Sequence, residues 1–94
     1  MWFKMELRQL EEKILSENDF SQTRRDRLIE NVLDLTVNSG KMDGNINYIL
    51  YSENSKEEKK KKIKETEEYL KNIVKNIINI ADSLEISLED VLNK

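Results

Sequence analysis

Between residues 63 and 84 the chain reads IKETEEYLKNIVKNIINIADSL. Leu70, Ile73, Val74, Ile77, Ile80, Ala81 and Leu84 fall at the i, i+3, i+4, i+7 steps of a helix with one buried face. Ile78 flanks that stripe and makes it wider than a single partner helix needs. Neither Gly nor Pro interrupts it. A chain built around such a segment has to supply further helices to cover it. Composition agrees, with apolar and charged residues each at 37%, no Pro and only 2 Gly. A β-rich fold would need more turn residues and more β-branched or aromatic alternation. Ninety-four residues suit one small domain with a modest core.

Ahead of this segment, Phe3, Leu7, Leu10 and Ile14 form a near-heptad stripe, with Met5 and Leu15 at its margin. They predict an amphipathic first helix over residues 2–16, with Trp2 as a packing or interface anchor. A polar break at 17–21 offers several N-cap candidates. Arg24, Arg25 and Arg27 then open a second helix, interleaved with Asp26. Cations at a helix N-terminus oppose the macrodipole, so these arginines serve something other than the helix end. They are either a phosphate-contacting cluster or, more simply, a solvated face paired to acids on a neighbouring element.

The second helix carries Leu28, Ile29, Val32, Leu33, Leu35 and Thr36 through to Asn38. Gly40 and Gly44 either end it or lie inside a longer helix that resumes at Ile46, Ile49 and Leu50. Tyr48 and Tyr51 read as half-buried covers. Ser55 with Glu58 is a capping-box spacing that starts the next helix. The run KEEKKKKIK contains Glu57–Lys61, Glu58–Lys62 and Lys61–Glu65 at i, i+4, so it reads as a solvated helical turn rather than a nucleic-acid tract. Glu85-Ile86 makes a turn, and Ser87 caps a brief terminal helix with Val91 and Leu92 inward. The predicted object is an all-α antiparallel bundle of two long and two shorter helices.

Several function classes fall away on composition. A net charge of −3 with both signs interleaved argues against a general affinity for nucleic acid. With no Cys there is no thiol chemistry, and with no His the commonest general base and transition-metal ligand are missing. Carboxylates and a hard cation remain as the accessible chemistry. The opening MWFKMELRQL has no continuous apolar run, which reads as neither a signal peptide nor a membrane span and points to a cytoplasmic protein without a membrane partner.

Residues 76–94, NIINIADSLEISLEDVLNK, consist of a helix ending in a small residue, a turn and a capped acidic helix. Residues 38–46, NSGKMDGNI, supply a small-residue pattern on an earlier helix. In this order the two segments, which lie within residues 38–94, resemble the all-α nucleotide pyrophosphohydrolases of the MazG-like group over more than half the chain. The closing segment is also similar to the last helices of small phage-repressor-type DNA-binding domains. The MazG-like resemblance implies a bundle completed by oligomerisation, to a dimer or tetramer, that binds and hydrolyses a nucleoside triphosphate with Mg²⁺. In that family an EExxE motif and an ExxD motif hold the metal, which neutralises the triphosphate and activates water at the α–β linkage. Registered on NSGKMDGNI, the acidic positions of the first motif fall on Val37, Asn38 and Lys41. Counting back from Ala81 puts the second motif on Tyr69 and Asn72.

A shifted register falls on Glu30, Asn31 and Asp34, and Glu68 stands one residue, roughly 100° around the helix, from the second motif. The resemblance then implies Glu30 and Asp34 as catalytic carboxylates and, with Glu68, as Mg²⁺ ligands. Arg24 and Arg25, or a lysine from 59–62, would clamp phosphates. The acidic set is incomplete in either register. The alternative is a non-catalytic helical protein acting through association with itself or a partner, since the apolar surface exceeds what one small bundle can cover. A repressor-type DNA-binding module ranks last, because no helix pair before the closing segment carries the Arg, Asn or Gln of a recognition helix.

Overall fold

Three short polar breaks divide the chain into helices α1 (Trp2–Ser16), α2 (Arg24–Tyr51), α3 (Lys56–Ser83) and α4 (Leu88–Leu92). The computed structural model describes residues 2–19, 21–53 and 55–94, with side chains in α1 from Glu6 onward. The anchor expected at Trp2 and the stripe positions Phe3 and Met5 therefore lie outside the described side chains. No strand occurs among the described residues.

Hydroxyl caps set the helix starts. Thr23 Oγ1 accepts from the Asp26 amide at 3.1 Å, Ser55 Oγ from Glu58 at 3.3 Å and Ser87 Oγ from Asp90 at 3.3 Å. Each satisfies one of the amides that a helix N-terminus leaves without an intrahelical partner. Ser55 and Ser87 are the caps expected from sequence, whereas α2 takes Thr23 rather than a residue of 17–21. Before it, the Asp19 carboxylate accepts from the Ser21 amide and hydroxyl, at 2.9 and 2.8 Å. Those bonds hold its carboxyl below the usual range. At the far end of α3, the Ile86 amide donates to the Ala81 carbonyl and the Glu85 amide to that of Asp82, closing the helix in a Schellman turn. Glu85 sits there at φ 57.

α2 and α3 are both 28 residues long and form an antiparallel hairpin. Arg27 meets Asp82 at one end, and Lys62 lies over the Tyr48 ring near the other. α1 packs on the C-terminal half of α3, where Ile14, Ile78 and Ala81 form the buried apolar core. α4 follows the turn, with Glu89 paired to Arg8 of α1 at 3.3 Å. The particle is elongated, 45 Å in its longest dimension, with a radius of gyration of 15.9 Å. A compact chain of this length would have about 12 Å.

Three expectations are corrected by this packing. Ile78, the flanking position, is the most buried apolar residue at 3% exposure, whereas Leu70 and Ile77 of the expected core stripe are 48% and 42% exposed. The reason is that α1 lies on the Ile78–Ala81 side of α3, so within the expected stripe Ala81 is buried while Leu70, Val74, Ile77 and Leu84 stay exposed. Val91 and Leu92 are exposed rather than inward, since α4 is only five residues long and turns Leu88 toward the body. Tyr51 ends α2 and is exposed, while Tyr48 is half-buried as expected. In the lysine-rich turn the ion pair formed is Lys62–Glu65 at 3.5 Å, an i, i+3 pair.

Gly40 and Gly44 lie inside α2, with no left-handed backbone at either. A Cβ built on either one meets nothing within 4 Å. Each glycine costs a helix interior about 1 kcal/mol relative to Ala, and nothing in the chain requires either. Gly40→Ala and Gly44→Ala are each expected to raise stability by about that amount, read as a higher urea midpoint at unchanged slope.

Candidate functional site

Amides, not aliphatic side chains, occupy the line where α2 meets α3. Asn38 and Asn45 of α2 and Asn76, Asn79 and Ser83 of α3 are buried. Asn76 Nδ2 donates to Asn31 Oδ1 and to Asp34 Oδ2, both at 3.0 Å. Asn38 Nδ2 donates to the same Asp34 oxygen at 3.0 Å and approaches Asn76 Oδ1 at 3.4 Å. From the α1–α2 connection, Asn18 donates to Asn79 Oδ1 at 2.8 Å. Further along, Asn45 lies 3.4 Å from both Thr66 Oγ1 and Glu65 Oε2. A buried amide is tolerable only when so bonded.

Asn18, Asn31, Asn76 and Asn79 wall a polar cleft of about 240 Å³ between the end of α1 and the hairpin, lined also by Glu17, Glu30, Asp34, Asn72 and Lys75. Lys75 pairs with Glu17 at 3.3 Å, and Gln22 donates to Glu30. Glu30 and Asp34, a turn apart on α2, therefore share the cleft. Glu68 is exposed and does not line it. Among the described residues no three carboxylates come together as a metal-binding group. A pair of carboxylates still fits Mg²⁺ when phosphate oxygens complete its shell, the arrangement that cation favours.

The arginines at the start of α2 point to the end of α3. Arg24 pairs with Glu85 at 3.1 Å and Arg27 with Asp82 at 3.3 Å, while Arg25 is exposed. Both pairs are solvent-accessible and contribute at most about 1 kcal/mol each. Beside them, Arg27 Nε and Ser83 Oγ are buried without a hydrogen-bond partner. Of the positions at which the resemblance places the acidic motifs, Val37 is exposed, Asn38 is buried in the amide line, and Lys41 and Tyr69 meet across the hairpin. Lys41 Nζ lies 5.9 Å from the centre of the Tyr69 ring, and Asn72 lines the cleft.

The apolar residues lie on a different side. Leu28, Val32, Leu35, Ser39, Met42, Ile46 and Ile49 follow one another along α2 in alternating steps of four and three. Ile63, Thr66, Leu70, Ile73, Ile77, Ile80 and Leu84 do the same along α3. This is the a/d spacing of a helix–helix seam. At 100° per residue the α2 seam is rotated by roughly 70°, and the α3 seam by roughly 115°, from the buried amides of its own helix, in the same sense. Because the helices are antiparallel, rotations of the same sense bring both seams to the same side of the hairpin. None of their residues is buried in the chain.

Compared with family models, curated proteins and solved structures, the chain matches none. Sequence reasoning missed the amide spine and the pairing of the two seams. Its signal was present: Asn31, Asn38 and Asn45 recur every seven residues, and Asn72 and Asn79 repeat that step on α3. Asn76→Ala removes the donor shared by Asn31 and Asp34 and is expected to destabilise the chain by about 1–3 kcal/mol. Asn47→Ala, at an exposed amide bonded to the Asp43 carbonyl, should stay within about 0.5 kcal/mol. Urea unfolding at one fixed protein concentration checks both.

Proposed function

We propose that this chain acts by association, docking a helical partner along the open side of the α2–α3 hairpin, and that it is not primarily an enzyme. The observation that carries this reading is the pair of half-exposed seams. An apolar surface this long and continuous, on a chain otherwise rich in charge, marks an interaction site. A partner helix would lie between the seams as a third or fourth member of a bundle. A photo-reactive phenylalanine analogue at Ile77 should form a defined protein adduct in cells on irradiation. The same analogue at the exposed Lys61, on the opposite side of α3, should form none. Equal behaviour at the two positions, or no adduct at either, would sink the reading.

A second reading keeps the nucleotide chemistry of the MazG-like resemblance, and one observation favours it: Glu30 and Asp34 line the same cleft. In that reading the two carboxylates hold Mg²⁺ against the phosphates of a nucleoside triphosphate, and Arg25 stands exposed nearby in sequence for the phosphates. Binding at 100 times the dissociation constant adds about 2.7 kcal/mol of stability. A thermal melt with millimolar Mg²⁺ and a nucleoside triphosphate, repeated on Glu30→Gln, reads this directly. The expected outcome under this reading is a rise in melting temperature that needs both ligands and is lost in the variant. No shift with any nucleotide would remove it.

A further inference from the structure

The two seams run at the same level of the hairpin. Cross-hairpin contacts Arg27–Asp82, Asp34–Asn76 and Tyr48–Lys62 fix that alignment. Under it, the α2 seam from Leu28 to Ile49 and the α3 seam from Ile63 to Leu84 are co-extensive. Both seams lack charge along their whole length. Two antiparallel seams of matched length on one face make a surface that is complementary to itself, because a twofold rotation lays each seam against an equivalent one running the opposite way. The polar spine stays within each hairpin and need not be disturbed.

Area argues the same way. The chain exposes 7304 Å². A compact monomer of its mass would expose about 5,700 Å². The excess of about 1,600 Å² per chain bounds from above what the seams can bury, and an interface of up to about 3,200 Å² in total lies within the range of obligate homodimers.

We infer that the partner is a second copy of this chain: two hairpins pack seam to seam as a four-helix bundle, with α1 and α4 of each copy on the outside. This rests on the association reading above and names its partner. The back of α2, which carries Leu33, Val37, Gly40 and Gly44, stays outside the interface.

Sedimentation equilibrium of the purified protein at micromolar concentration is the first test, with the result expected at twice the 11.2 kDa chain mass. The second is isotope-filtered NMR on a mixture of labelled and unlabelled protein. Intermolecular methyl contacts are expected from Val32, Leu70 and Ile77 and not from Leu33 or Val37. A monomeric mass up to 100 µM, a tetrameric mass, or intermolecular contacts from Leu33 and Val37 instead would each overturn the inference. A monomer whose Ile77 position still cross-links in cells to a protein of different mass would overturn only the second copy and leave association standing. A monomer with no adduct would remove both.

Discussion

The bonds around Asp34 and Asn76 decide how the two long helices meet. Asp34 Oδ2 receives both Asn38 and Asn76, and Asn76 is held in turn by Asn31. Such a network has one satisfactory arrangement. Sliding α3 by a residue along α2 would separate Asn76 from both acceptors and leave its buried amide short of partners, a cost of about 1–3 kcal/mol. Leu and Ile contacts tolerate a slip more readily, because dispersion is not directional. The amides therefore act on register, as a single buried Asn does in a coiled coil.

Using polar groups for the hairpin's own contact line has a consequence for the apolar ones. The residues of the two seams cannot also lie on that line, and they are turned to one side of it. With α1 engaged at Ile78 and Ala81, they are covered only in part: Leu28, Leu35, Ile73 and Ile80 are half-buried, and Val32, Leu70 and Ile77 are exposed. Register within the chain and openness toward a partner thus have one cause. The same arrangement explains why the hairpin is long and the radius of gyration large for the chain length.

Helix existence and boundaries were legible because they depend on local chemistry. Ser55 and Ser87 cap where their spacing to Glu58 and Asp90 says they should, and the 63–84 periodicity is helical throughout. Which side of each helix is buried was not legible in the same way. The stripe through Leu70 and Ile77 is the most apolar face of α3, and burial follows apolarity only when the chain itself provides the cover. Here the cover provided by α1 is rotated toward Ile78. Gly40 and Gly44 remained ambiguous for a related reason: the same residues suit a helix end or a close approach. The packing of α2 on α3 carries the helix through both. For the candidate site, Glu30 and Asp34 stand a turn apart on α2 and line one cleft, a proximity that helical spacing alone dictates. Glu68 does not line it, because its position relative to that cleft depends on where α2 docks on α3.

The cleft and the open face bear differently on what the chain can do. In the cleft, the donors nearest Asp34 and Glu30 are amides, and Lys75 is already paired with Glu17. An incoming cation there competes with bonds that hold the hairpin in register, so metal binding and hairpin stability are coupled. At the positions where the resemblance expects further carboxylates, Asn38 is buried in the spine and Lys41 lies over Tyr69. Neither an amide nor an ammonium supplies the anionic oxygen a hard cation needs. Those residues favour the hairpin's own integrity over a tightly held divalent ion. The open face carries no such conflict: covering it removes apolar area from water and breaks no bond the chain has made. That asymmetry supports the proposal of association over that of catalysis.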